Sequence, residues 1–272
     1  MKFDLHTHTN ASDGELQPAE LVARACQRGV THLAITDHDT LRAYDSLDCP
    51  AELTLITGIE LSTRWRKRGI HIVGLNLARD NTDLNDGIAR QQIARKQRAR
   101  KIADRLVKAG LPDLFDAVTT RAGNSNIGRP HFAQELVAAG HVRDVATAFK
   151  KYLGDNKLGD VRESWADMPE VIRWIRSAGG VAVLAHPAHY KLTRSKLCEL
   201  LEDFIAAGGA AIEVISGRQD AKETRRLAGL ANDYQLLASV GSDFHRPSAS
   251  WAELGCCAAL PEQCQPVWNS WQ

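Results

Sequence analysis

The chain has 272 residues, with 34 basic and 33 acidic side chains and a formal net charge of +1. That balance excludes a strongly basic nucleic-acid coat, though not a local basic patch. With 44% hydrophobic and 25% charged residues, the composition is globular, and the length suggests one large domain or one with an insertion.

A first strand is read at residues 3–5. A helix follows over 18–28, opened by Pro18 and closed at Gly29, which suit a first turn and a helix end. Strands come next at 33–36, 53–59 and 70–75. The rhythm breaks between Asp83 and Trp165, where helical patterns at 83–109, 128–139 and 143–152 predict a small helical insertion. It then resumes with helix 168–177, strand 181–185, helix 194–207, strand 211–215, helix 220–234 and strand 237–240. Runs of Val, Ile and Leu fit parallel strands buried on both faces. Strand and helix in alternation predict an α/β fold, a closed (β/α) barrel, with an open doubly wound sheet as the alternative. The barrel is assigned 1–82 and 166–272, and the insertion 83–165.

The N-terminal MKFDLHTHTN lacks an apolar h-region, so no signal peptide is expected. No run approaches the ~18 apolar residues of a membrane span. The cysteines, Cys26, Cys49, Cys198, Cys256, Cys257 and Cys264, form no CxxC pair. A zinc ribbon is therefore not indicated, and reduced thiols in a cytoplasm are expected.

Between positions 90 and 108 stand Arg90, Arg95, Lys96, Arg98, Arg100, Lys101, Arg105 and Lys108, against Asp104 alone. This is either a solvated helix face or a patch that steers a phosphate-rich substrate.

The histidines carry the chemistry. His6 and His8 follow the first strand, spaced so that both point to one side. Asp13 lies in the loop beyond. His38 follows the second strand, Glu60 the third, His186 the fifth, and Asp243 and His245 the last. In a barrel the C-terminal strand ends share one rim, so these distant residues would converge. His71 sits early in its own strand. The stretch 61–69, with its basic turn 66–69, is expected to be a β excursion that returns the chain to the rim. A lone histidine at a strand end is more often a polar cap than a ligand, but scattered histidines would not all follow strands. Imidazoles and carboxylates without a thiol suit Mn²⁺, Fe²⁺ or Zn²⁺, and nine ligands imply two or three ions. His32 and His141 show no such placement.

The strings HTHT, TDHD, GIELS, AHP and SDFH resemble, in order, the motifs of the polymerase-and-histidinol-phosphatase (PHP) family over nearly the whole chain. With NIGRPH and the size, the chain resembles the family's TrpH/RNase AM-like branch of nucleotide phosphoesterases. That branch includes the 3′,5′-nucleoside bisphosphate phosphatase. The resemblance implies a distorted seven-stranded TIM-like barrel with a trinuclear centre, and it favours Mn²⁺. His6, His8, Glu60 and Asp243 would hold the first ion. Glu60 would bridge to a second, completed by His71 and His186, with His131 competing for the place of His71. Asp13, His38 and His245 would hold the third.

Phosphate ester hydrolysis needs a nucleophilic hydroxide, neutralised phosphoryl oxygens and a stabilised leaving group, and metal ions supply all three. The attacking hydroxide would be metal-bound. His189, in AHPAHY, is the candidate to protonate the leaving alkoxide, unless it makes only a rim hydrogen bond. His38 is counted with it in the catalytic set as well as among the ligands. In NSNIGRPH, Ser125, Asn126, Arg129 and His131 are candidate substrate contacts. Arg129 offers a planar fork to a phosphate, and Asn124 or Ser125 could cap an anion-attracting helix N-terminus. The bland alternative is a capped helix with an internal ion pair.

The expected activity is metal-dependent hydrolysis of phosphate from nucleoside 3′,5′-bisphosphates. The alternatives are a 5′→3′ exoribonuclease acting on short RNA or a histidinol-phosphate-type phosphatase. A deacetylase or amidohydrolase shares HxH motifs, but its bridging lysine is not evident, and Glu60 takes that place. A non-catalytic, polymerase-associated module is disfavoured by the intact ligand set. The expected partner is a nucleotide or a short RNA, with no membrane and no obligate protein partner.

Overall fold

A computed structural model of the chain describes residues 1–45, 47–161, 164–247 and 252–271. In chain order the elements are β1 (Phe3–Asp4), α1 (Pro18–Gln27), β2 (His32–Ile35), β3 (Thr54–Trp65) and β4 (Arg68–Leu75). The helical stretch follows, with α2 (Thr82–Lys108), α3 (Phe115–Ala122), α4 (Arg129–Ala138) and α5 (Val145–Ala148). Then come α6 (Met168–Ser177), β5 (Val181–Leu184), α7 (Arg194–Ala206), β6 (Ala211–Ser216), α8 (Ala221–Asp233) and β7 (Leu237–Gly241), with a short 3-10 turn at Val267–Ser270 beyond.

The strands pair in sequence order from β1 to β7. Leu5 N–H donates to Val240 C=O at 3.0 Å, and Asp243 N–H donates to His6 C=O at 2.9 Å. These bonds bring β7 back to β1. The result is a nearly closed seven-stranded barrel, which satisfies the edge groups an open sheet would leave bare. The doubly wound alternative falls on this closure.

The expectation of uniformly parallel strands is corrected at β4, which runs antiparallel to both β3 and β5. Only Arg66 and Lys67 separate β3 from β4, too few for the crossover a parallel pair requires. Strand β3 also runs on through Glu60 to Trp65 instead of stopping at residue 59. The excursion expected over 61–69 is thus the far end of a hairpin.

The barrel interior is filled by Leu5, Ala34, Val73, Leu75, Val183 and Ala211. Helices α6, α7 and α8 cover its outside with Ile172, Ile175, Leu200, Phe204 and Leu227. Helix α6 shows why this works: Met168, Val171, Ile172, Trp174 and Ile175 are buried, the i, i+3, i+4 stripe of a core-facing helix. Gly87 lets α2 settle on α6, since a Cβ there would lie 2.4 Å from the Trp174 ring.

The helical stretch has an apolar cluster of its own, built from Ile102, Leu106, Val118, Phe132, Leu136 and Leu153 among others. Positions 162–163 of the predicted insertion lie outside the described residues. Helix α3 escapes the sequence patterns because only Val118 and Ala122 are buried in its eight residues. The helix predicted at 143–152 is a short α5, capped by Asp144, that widens into a π-helical turn over Phe149–Leu153. No described helix is long and apolar enough to cross a membrane.

Candidate metal centre

His6 and His8 follow β1 two residues apart, and both are buried. Their Nε2 atoms are 3.2 Å apart, and each lies 3.3 Å from Glu60 Oε2. Asp243 Oδ1 approaches the same two nitrogens at 3.6 and 3.4 Å. The second oxygen of Glu60, Oε1, faces His71 Nδ1 at 2.8 Å and His186 Nε2 at 2.9 Å. One carboxylate therefore stands between two groups of imidazoles.

The hairpin explains how His71 arrives. Ser62 pairs with His71 in the β3–β4 register, and Glu60 shares a face with Ser62. His71 is thus the diagonal neighbour of Glu60, within reach of a long side chain. His131, the competitor, is elsewhere engaged: its Nδ1 accepts the Gly128 N–H at 3.0 Å.

Asp13 gathers the remaining histidines. Its Oδ1 lies 3.4 Å from His245 Nε2, and its Oδ2 lies 3.8 Å from His38 Nε2. The loop that carries it is held by buried Asp37, which accepts the Thr9 N–H at 2.8 Å and the Thr9 and Ser12 hydroxyls at 2.5 Å each. Two cluster residues take left-handed backbone angles, Asp243 at φ 54° and His186 at φ 28°. Such strain costs about 1–3 kcal/mol per residue and persists only where surrounding structure enforces it.

The electrostatics leave the acids charged. Burial pushes the Glu60 carboxyl up, but His38, His71 and His6 outweigh it and hold it well below the usual carboxylate range. Burial opposes ionisation of Asp13 too, yet His38 and His245 hold it well below that range. Asp243 is lowered in the same way by His6 and His245 against its burial. Burial drives His38 well below the ordinary imidazole value. His8 Nδ1 and His186 Nδ1 are buried without a hydrogen-bond partner among the described residues, a cost that a ligand or a water would relieve.

Groups able to hold a divalent ion follow: His8, Asp13, His38 and His245; His6, Glu60 and His186; His6, His8 and Asp243; and His38, Glu60 and His71. Ionised carboxylates with imidazole nitrogens, and no thiolate, are the donor set of Mn²⁺, Fe²⁺ or Zn²⁺. The residues fit such ions.

The cluster opens into a cleft of about 350 Å³, whose far wall includes Arg95, Arg98, Arg129, Phe149 and Trp165. Arg95 and Arg98 belong to the basic stretch of α2, yet they are buried at 6% and 7% exposure. Neither a solvated face nor a steering patch describes these two. Arg95 is satisfied by Asp39, Ser62 and the Ile127 carbonyl. Arg98 is different. Its Nε donates to the Val161 carbonyl at 2.8 Å, its guanidinium lies 5.2 Å from the Trp165 ring centroid, and burial with the charges of Arg129 and Arg95 lowers its pKa well below the ordinary value. Among the described residues it has no carboxylate partner.

Arg129 lines the cleft, with Nη1 3.1 Å from the Leu153 carbonyl and 3.6 Å from Asp155. Ser125 and Asn126 turn to the barrel instead. Ser125 donates to the Asn10 carbonyl, and Asn126 Nδ2 donates to the His38 carbonyl at 2.7 Å. Neither Asn124 nor Ser125 caps α4, because the N-cap is Gly128. His189 lines the cleft and stacks on His186 at 5.1 Å between centroids. Burial and the neighbouring His186 lower its pKa.

The sequence patterns named Arg98 only as one member of the basic stretch and did not point to Asp37 or Glu213. For Glu213 a signal existed: a lone acid inside the apolar run AIEVIS of β6.

A barrel with a histidine–carboxylate cluster at the C-terminal rim of its strands is the frame of a metal-dependent hydrolase. The chain belongs to the PHP domain family, whose profile matches residues 4–159. It is similar to a 5′-3′ exoribonuclease of Haemophilus influenzae, 42% identical over 98% of both chains. It is also similar to a 3′,5′-nucleoside bisphosphate phosphatase of Chromobacterium violaceum, 38% identical over 98% of this chain and 95% of the relative. A solved structure from Chromobacterium violaceum, described as an amidohydrolase with bound sulfate and no metal, aligns with a TM-score of 0.88. That alignment has 37% identity and covers 99% of this chain and 95% of that one.

Proposed function

We propose that this chain is a metal-dependent phosphoesterase that releases phosphate from nucleoside 3′,5′-bisphosphates. One observation carries the reading. The histidine–carboxylate cluster and the buried guanidinium of Arg98, with Arg129 beside it, face the same cleft. Asp160 and Asp39 lend Arg98 some opposite charge, but among the described residues no carboxylate pairs with it directly. A buried cation so placed favours an anion, and the arrangement suits a substrate with two phosphates.

His6, His8, Glu60 and Asp243 would hold a first ion. Glu60, His71 and His186 would hold a second, and Asp13, His38 and His245 a third; Mn²⁺ is the ion we favour. Such ions, when bound, acidify a water and neutralise phosphoryl oxygens. Arg98 and Arg129 hold the phosphate that is not cleaved, through charge-assisted hydrogen bonds. His189, on the rim side of the cleft, donates a hydrogen bond to the leaving oxygen. His38, between Glu60 and Asp13, orders the cluster at the point of attack. The helical stretch α2–α5 forms one wall of the cleft. Ser125 and Asn126 anchor it to the barrel through the Asn10 and His38 carbonyls, and His131 accepts the Gly128 N–H at the start of α4.

A second reading, 5′→3′ hydrolysis of short RNA, is supported by the exoribonuclease relative at 42% identity. There the next phosphodiester takes the place of the second phosphate at Arg98 and Arg129. The six unpaired cysteines support a reducing compartment, the cytoplasm.

The test is inorganic phosphate release from adenosine 3′,5′-bisphosphate, and mononucleotide release from a 5′-phosphorylated short RNA, with Mn²⁺ and with chelator. Chelator-sensitive turnover of either supports the reading and selects the substrate. A folded, metal-loaded protein inert toward both overturns it.

A further inference from the structure

Glu213 is the one charged side chain in β6, and it is 2% exposed. Its two oxygens serve two different strands. Oε1 lies 3.1 Å from His6 Nδ1, at the end of β1. Oε2 accepts the backbone N–H of His186, at the end of β5, at 2.5 Å. Strand β5 adjoins β6, but β1 does not, because β7 lies between them. Gly241 opens that path. A Cβ at 241 would stand 2.2 Å from His6 Cβ and 2.8 Å from Glu213 Oε1, so any side chain there would displace the contact.

The consequence falls on Glu60. His6 Nε2 lies 3.3 Å from Glu60 Oε2, and His186 Nε2 lies 2.9 Å from Glu60 Oε1. With a carboxylate on Nδ1, His6 carries its proton there and leaves Nε2 free as a donor atom. His186 holds a strained φ of 28°, and its N–H bond to Glu213 pins that conformation. We propose that Glu213 is a positioning residue that sets the His6 tautomer and the His186 backbone together, aiming both Nε2 atoms at the bridging carboxylate. The inference rests on the metal-site reading above. A glutamine cannot replace it, because two N–H donors face its two oxygens and the amide would turn an NH₂ toward one of them.

The experiment is a titration of full-length wild type and Glu213→Gln with Mn²⁺, following free Mn²⁺ by electron paramagnetic resonance. Loss of an outer carboxylate of this kind costs about 10–100-fold in metal affinity. The sites that use His6 and His186 should weaken by that factor, while the site of Asp13, His38 and His245 keeps its wild-type affinity. Superimposable isotherms, or equal weakening at every site, overturn the proposal. A measurement without a variant guards against misfolding: ¹⁵N correlation spectra of the Zn²⁺-loaded wild type should show His6 protonated at Nδ1. A proton at Nε2 overturns the proposal as well. Wild type that takes up no Mn²⁺ sinks the metal-site reading itself, whereas normal wild-type binding with an unaffected Glu213→Gln sinks only the role of Glu213.

Discussion

Arg95 Nε donates to Asp39 Oδ2 at 2.6 Å, in an ion pair whose side chains are 6% and 0% exposed. Asp39 directly follows His38, and Arg95 stands on α2, so the pair locks the helical stretch onto the loop that carries a candidate ligand. Asp39 Oδ1 also accepts the Ser62 N–H at 2.9 Å and Gln91 Nε2 at 3.2 Å. Both partners are thus satisfied within a buried network.

Breaking one side of that pair strands a buried charge. Asp39→Ala should lower stability by about 3–5 kcal/mol, read as a lower midpoint in urea unfolding. A change under about 1 kcal/mol would mean that Arg95 relaxes to water and that the helical stretch docks by apolar contact.

Glu60→Gln should remove the charge that both imidazole groups share. Mn²⁺ binding at the first and second sites should be lost, and kcat/KM should fall by about 10³-fold or more, roughly 4 kcal/mol. Metal analysis after gel filtration and steady-state kinetics check both. Full Mn²⁺ occupancy in the variant would move the bridge away from Glu60.

Arg98→Met keeps the apolar stem against Trp165 and deletes the charge. KM for a 3′,5′-bisphosphate should rise about 10–100-fold, as expected for losing a charge-assisted hydrogen bond of roughly 1.5–3 kcal/mol. Turnover of an aryl monophosphate, which has no second phosphate, should change little. Arg129→Ala should behave the same way. Equal losses on both substrates would remove these arginines from phosphate recognition.

His131 links the helical stretch to pH. Burial lowers its pKa below the ordinary imidazole value of 6.5, and its neutral Nδ1 accepts the Gly128 N–H that opens α4. The folded chain therefore binds fewer protons here than the unfolded chain. The stability this contributes is present above about pH 6.5 and is lost as pH falls. His131→Gln retains a side-chain acceptor that does not titrate, in the manner of a capping box. The Tm difference between wild type and this variant should shift against wild type from pH 7 to pH 5. A difference constant over that range would show that His131 does not titrate in the folded chain there.

Much of the site was legible because barrel topology converts strand ends into neighbours. His6, His8, His38, His186, Asp243 and His245 each follow a strand whose apolar run shows plainly in the sequence, and one rim collects them. From its place in the strand pattern His71 was legible only as a difficulty; the family resemblance alone set it beside Glu60. Its place beside Glu60 depends on the antiparallel register of β3 and β4, which a run of Val and Ile does not encode. Arg98 was hidden for the opposite reason. In a helix rich in Arg and Lys, nothing local marks which guanidinium turns inward; the packing of α2 against Trp165 and Val161 decides it.

By itself the sequence determined the α/β class, the order of the strands, the helical break after β4 and the residue types gathered at the rim. Hydrophobic periodicity and the chemistry of side chains are local properties, written residue by residue. Only the tertiary structure decided that β4 runs antiparallel, which oxygen of Glu60 faces which imidazoles, and that Glu213 reaches His6 from 207 positions away. Those relations depend on strand register, on the space left at Gly241 and on which charges are stripped of water. They come into being when the barrel closes.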